Sequence, residues 1–323
     1  MKRAYIIFPV VVLIASLLAG CGQLAAPPTV STTSPPTPTA TSSLPPSPTA
    51  TPSPPPTPTL TSPLAAIVDG QPISLDDYQR RVAQFEAALV AEGIDSASEE
   101  GQKELTQMRP QILEWMIEEV LIEQGAAQEG VAVPDEEVEA EVQRNIDLKG
   151  QEEFEAWLEA NNFTLEDFRA QLHTQLLSAA MFEKITASVP ERSEQVHARH
   201  ILLEKEEEAQ EVLRQLRGGG DFAALAKLYS QDEGTKESGG DLGFFPRGLM
   251  PPEVEEAAFA LSPDQISEVI RSQFGFHIVQ VLEKEDDRPI SAEMLHGLKE
   301  QTFRLWIKEK REAAAIERFI ETE

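Results

Sequence analysis

Only one cysteine, Cys21, occurs in 323 residues, so no intramolecular disulfide can staple this chain in any compartment. Positive charge is scarce as well: 27 lysines and arginines oppose 55 aspartates and glutamates, a formal net charge of −28. Binding nucleic acid or an anionic membrane surface through charge needs a cationic face, and this balance argues against both. No metal-ligand spacing motif is present. His197 and His200, three apart in an alternating run, point to opposite faces of a strand and chelate poorly. No metal and no cofactor is expected. The one long apolar run, Ala4 to Leu18, could span a bilayer only with its flanks.

That run follows Met1-Lys2-Arg3 and ends in Leu18-Ala19-Gly20-Cys21, the charge-then-apolar order of a secretory signal. Small residues before a cysteine at this point resemble a bacterial lipobox. The resemblance implies that residues 1–20 are removed and that Cys21 is acylated, anchoring the chain outside the cytoplasm. Removal of Lys2 and Arg3 leaves 25 basic against 55 acidic residues, a charge of −30. From Pro27 to Pro63 the chain is mostly proline, threonine and serine and holds 14 of the 24 prolines. Such a composition buries too little surface to fold. Residues 21–63 therefore read as a tether rising about 3 Å per residue, on the order of 100 Å in all.

About 260 residues remain, enough for two modest domains. The first, 64–189, reads as helical after a short strand, a glycine turn and a return at Ala65 to Ile73. Ser74 with Asp77 starts a helix bearing Leu75, Tyr78, Val82, Phe85 and Leu89 on one face. A second helical pattern contains Pro110, expected to kink or restart it. Pro134, the Phe154-Trp157-Leu158 pattern and Thr164 with Asp167 mark three more. A last helical pattern, Ser291 to Ile320 within 291–323, carries large apolar residues that need a partner surface, expected on the helical domain.

Between these lie two runs with the period of a strand, Val196 to Leu203 and Phe276 to Val281. They enclose Asp221 to Asp232, then Gly239-Gly240-Asp241-Leu242-Gly243-Phe244-Phe245, then Arg247-Gly248-Leu249-Met250, then Phe259-Ala260-Leu261. This segment resembles a parvulin-type (PpiC-like) peptidyl-prolyl isomerase domain, and the match spans about 90 residues. The Val68-Asp69-Gly70-Gln71-Pro72-Ile73 opening and the helices after it resemble the chaperone domain of PrsA/SurA-type foldases.

The resemblance implies an α+β chain whose domain at 191–287 is a small four-stranded antiparallel sheet with packed helices. It places His200 and His277 as paired histidines in the floor of the site and Asp232 where the family has an aspartate or cysteine facing the reacting amide. Alternation agrees for the histidines, with His200 sharing a face with Val196 and Ala198, and His277 with Val279 and Val281. For the proline pocket it gives Leu242, Met250 and Phe274. Val254 stands where the family usually has phenylalanine, which leaves one wall smaller.

Isomerisation suits a site without a cofactor. The amide barrier of about 18–20 kcal/mol comes from partial double-bond character, so a catalyst needs only to grip proline and favour the twisted amide. The run Glu204 to Glu208, read as a loop, is acidic where phosphate-directed parvulins need basic residues. The expected partners are unfolded exported polypeptides containing Xaa-Pro bonds. The alternative is a catalytically weak, membrane-tethered holdase that uses the parvulin module to bind peptides.

Overall fold

The computed structural model describes residues 63–320; the signal segment, Cys21 and nearly all of the tether lie outside them. The described chain divides into two compact units. The first comprises 63–117, Glu136–Leu172 and 315–320, and the second Glu118–Asp135 and His173–Ala314.

In the first unit, β1 (Leu64–Val68) and β2 (Gln71–Ser74) form a hairpin. Its two-residue turn places Asp69 and Gly70 at φ 48° and 84°. Asp-Gly tolerates two left-handed residues, as the tight turn between twisted strands requires. Helices α1 (Leu75–Ala91), α2 (Glu99–Glu129), α3 (Asp135–Lys149), α4 (Gln151–Ala160) and α5 (Leu165–Thr186) follow. Ser74 caps α1 by accepting the Asp77 N–H at 3.0 Å. Thr164 and Asp167 cap α5 reciprocally, each backbone N–H donating to the other's side chain at 3.0 Å. Phe168 packs edge-on against Phe154 and Trp157, at centroid distances of 5.2 and 5.9 Å.

Two expectations are corrected here. Helix α2 runs unbroken through Pro110, so the proline, which removes one intrahelical donor, does not restart it. The last helical pattern, expected to run from Ser291 to Ile320, is also shorter than that. Helix α9 (Ala292–Ala313) stops short, and Ile316–Arg318 forms a further strand, β7, which pairs with β1 and completes a sheet of order β2-β1-β7. An unpaired β1 edge would leave backbone groups open, and pairing outweighs the helical propensity of the alanines at 313–315.

The second unit is organised by a sheet of order β4-β3-β6-β5, all antiparallel: β3 (Arg192–Leu203), β4 (Asp241–Pro246), β5 (Ile270–Ser272) and β6 (Gly275–Pro289). One face buries Ile201, Leu203 and Ile278 under α6 (Glu206–Arg217) and α7 (Phe222–Tyr229). The other buries Val196, Ala198, Val279 and Val281 with Phe245 under α8 (Pro252–Ala260). Strand alternation thus feeds two cores from the same two strands. The acidic run proves to be mainly helix: Glu206, Glu207 and Glu208 form the first turn of α6, where carboxylates complement the helix dipole. Helix α9 packs through Phe303 on Phe182, with ring centroids 5.5 Å apart, and Trp306 lies over Gly125. A Cβ on Gly125 would come within 2.6 Å of that indole.

Phe245 is fully buried in the site-side core and meets Phe259 edge-on at 6.1 Å. Phe245→Ala should destabilise this unit by about 3–5 kcal/mol, read as a lower urea midpoint in near-ultraviolet circular dichroism; a loss below about 1 kcal/mol would contradict the packing described.

Candidate active site

The site lies on the α8 face of the sheet and begins with strand register. Leu202 faces His277 across the β3·β6 ladder and His200 faces Val279, so the two histidines are diagonal neighbours on one face. Both are buried, and their rings stack at 5.6 Å with Nδ1 atoms 3.4 Å apart. His200 Nε2 lies 2.7 Å from Asp232 Oδ2 and 3.2 Å from Thr235 Oγ1. The Thr235 hydroxyl also donates to Asp232 Oδ2, and the Gly234 N–H donates to Oδ1 at 3.1 Å. At the other end, Ser272 Oγ lies 2.7 Å from His277 Nε2 and accepts the Phe274 N–H at 3.0 Å.

One proton arrangement that satisfies every atom in this chain starts from a neutral His200 ring. The Asp232 carboxylate only accepts, so His200 Nε2 carries a proton and its Nδ1 accepts. His277 Nδ1–H then donates to it, which leaves His277 Nε2 to accept from the Ser272 hydroxyl. Burial, followed by the proximity of His200, pushes the His277 pKa down to about 4, so the His277 ring is neutral near pH 7. Burial acts to raise the Asp232 pKa, but hydrogen bonds from Thr235, His200 and the Gly234 N–H outweigh it and hold the carboxyl below its ordinary value. Asp232 is an ionised group with 27% of its side chain open to solvent. The carboxylate and His277 occupy opposite edges of the His200 ring, so the three do not converge on a single metal ion.

Backbone contacts fix these side chains. The loop carrying Asp232 is tied to β3 by Gln231 N–H to the Leu202 carbonyl at 2.8 Å and by Leu202 N–H to Ser230 Oγ at 3.2 Å. The His200 N–H donates to the Gly240 carbonyl at 2.8 Å. Gly240 has φ 83°, and a Cβ there would collide with the His200 carbonyl.

Of the sequence-predicted site residues, His200, Asp232 and His277 form one bonded group. Leu242 and Met250 are half-buried and pack on the core containing Val254, itself only 1% exposed, so Val254 acts beneath them and not as an open wall. Phe274 is 62% exposed and touches the network through its backbone N–H. Thr235 and Ser272 had not been singled out. Their signal was a hydroxyl three residues after Asp232 and another before the Phe-Gly turn, a pattern too common to stand out alone.

Residues 185–283 match the family described as the PPIC-type PPIASE domain, and residues 56–182 match the SurA-like N-terminal domain. A foldase protein PrsA of Caldanaerobacter subterraneus is 31% identical over 236 residues, covering 68% of this chain and 74% of that protein. The chain belongs to the PrsA foldase family. Foldase protein PrsA 4 of Bacillus cereus is 39% identical over 168 residues, half of this chain and 59% of that one. Among solved structures, the peptidylprolyl isomerase PrsA of Bacillus anthracis aligns over 62% of this chain and 94% of its own, with 32% identity and a TM-score of 0.48. The enzymatic class of this PrsA-family chain is accordingly peptidyl-prolyl cis-trans isomerase, of the parvulin type.

The depressed pKa of His277 has a consequence for stability. The unfolded chain takes up this proton near the ordinary value of 6.5, the folded one near 4. The stability concerned is complete above 6.5 and is lost as pH falls towards 4. His277→Gln should therefore flatten the fall in thermal midpoint between pH 7 and pH 4.5; an unchanged slope would refute the neutral buried imidazole.

Proposed function

We propose that this chain speeds cis/trans isomerisation of Xaa-Pro bonds in exported polypeptides, at a site formed by Asp232, His200 and His277 beside Leu242 and Met250. The observation that carries this reading is the ionised Asp232, held by three groups, one of them a histidine on the face of the sheet that carries the apolar core of Leu242 and Met250. A planar amide places negative charge on oxygen and positive charge on nitrogen, and twisting removes that polarisation. A fixed carboxylate near the carbonyl oxygen raises the energy of the planar form more than that of the twisted one, and differential stabilisation of this kind lowers the barrier. His200 and His277 serve as orienting groups: the His200 Nε2–H holds the carboxylate, and His277 braces the His200 ring. Leu242 and Met250 receive the proline ring.

Val254 lies in the core under these two residues, so its small size acts through their placement. Nothing about it favours a module that only binds peptides, and turnover separates the two readings. With an Ala-Pro peptide and the full chain in mild detergent, Asp232→Ala should lower kcat/KM by about tenfold or more while the fold persists. Leu242→Ala combined with Met250→Ala should abolish turnover. A folded wild-type chain without turnover would leave the holdase.

The lipobox-like end of the signal supports anchoring through Cys21 on the outer side of the cytoplasmic membrane, with the acidic folded part standing off on the tether. Cells expressing the chain and fed an alkyne palmitate should label it, and Cys21→Ser should not be labelled; equal labelling would move the anchor elsewhere.

A further inference from the structure

The β3·β4 ladder carries an irregularity beside the site. Ala198 faces Gly243 and Arg199 faces Asp241, so Leu242 is an extra residue with no partner on β3. Pairing on either side shows what the extra residue accomplishes. Val196 with Phe245 and Ala198 lie on the site face. His197 and Phe244 lie on the opposite face, with rings 5.1 Å apart, and the Arg199 guanidinium is 4.7 Å from the Phe222 ring in the other core. In a regular ladder Leu242 would stand opposite Arg199 and share its face. It packs instead against the site-side core with Met250. The bulge turns Leu242 to the other side of the sheet.

A specific arrangement keeps the bulge in place. Gly243 adopts φ 67°, and its N–H, displaced from the ladder, donates to Asp241 Oδ1 at 2.8 Å. The same oxygen lies 2.8 Å from His197 Nε2 on the neighbouring strand. Asp241 thus closes a two-residue turn around Leu242 and ties it across to β3.

We propose that Asp241, braced by His197, is the positioning residue of the proline pocket: from the far face of the sheet it holds the bulge that presents Leu242 to substrate. The inference rests on Leu242 lining the pocket. A merely structural surface pair predicts a different outcome, because an exposed ion pair contributes little and does not discriminate between KM and kcat.

The test uses the full chain with a proline peptide in saturation kinetics, alongside thermal melts. Asp241→Ala should raise KM by about tenfold with kcat within about threefold of wild type. Asp241→Asn, which keeps an oxygen for the Gly243 N–H and for a His197 N–H, should restore KM to within about twofold. Asp241→Glu keeps the charge but cannot close the short turn, and should behave like alanine; it decides the matter with Asp241→Asn if Asp241→Ala does not fold. Leu242→Ala is the control for the pocket. Should Leu242→Ala raise KM while Asp241→Ala or Asp241→Glu matches wild type, the positioning role is overturned and the pocket stands. If Leu242→Ala leaves KM unchanged, the pocket assignment falls and this inference falls with it.

Discussion

The contact on which the site depends is a single hydrogen bond between the Nδ1 atoms of His200 and His277. Each neutral imidazole has one proton to give, so one ring must donate and the other accept across that gap. With the His200 Nε2–H donating to the Asp232 carboxylate and a neutral His200 ring, the later donors follow in order, down to the Ser272 hydroxyl and the Phe274 amide. Protonating His277 would place a charge in a buried space beside His200, and its low pKa reflects that environment, burial first. The arrangement costs little to keep because strand register, not side-chain choice, brings the rings together. A slip of one residue in β6 would carry His277 to the other face and leave Asp232 holding a ring with no brace.

Glycine supplies the close approaches that this register demands. Gly240 lies against the His200 carbonyl and Gly275 against that of Leu203, each at positive φ and each without room for a Cβ. They sit where the chain doubles back towards the two central strands, at the start of β4 and of β6. Gly240 of the Gly-Gly-Asp-Leu-Gly motif and Gly275 of the Phe-Gly-Phe-His motif are thus backbone requirements of the two strands that carry the histidine pair.

The central strands and the histidine pair were legible because alternation fixes which residues share a face, and Val196, Ala198 and His200 do share one. Hairpin and caps were legible for a similar reason: Asp-Gly and Ser-x-x-Asp are local chemistry, satisfied within four residues. What escaped was decided at long range. Ile316 to Arg318 lies close behind a helix rich in glutamate and lysine, and only the waiting edge of β1 makes it a strand. Pro110 reads as a breaker, yet one lost donor in a 31-residue helix is outweighed by the burial of Ile112, Leu113 and Ile117 beyond it. The acidic run at Glu204 to Glu208 looked like a loop defined by its charge, whereas three of its glutamates begin a helix whose buried face is Ala209, Val212, Leu213 and Leu216.

The sheet divides its labour by face. On the α8 side are the histidines and the apolar residues around them, groups that must be dry and closely packed to keep a single proton order. On the opposite side, near β4, are His197, Phe244 and the Asp241 carboxylate, with the Arg288 guanidinium 3.8 Å from the Phe244 ring. A charged clamp placed on the site side would add a second carboxylate near Asp232, and like charges in one pocket drive one of them to protonate. Keeping Asp241 across the sheet avoids that conflict, and a single extra residue transmits its grip to Leu242. An antiparallel edge suits such a device: the β3·β6 ladder also shifts register between His197 and Ala198, yet it pairs without a break from Ala198 to Leu203, the stretch that holds the histidines.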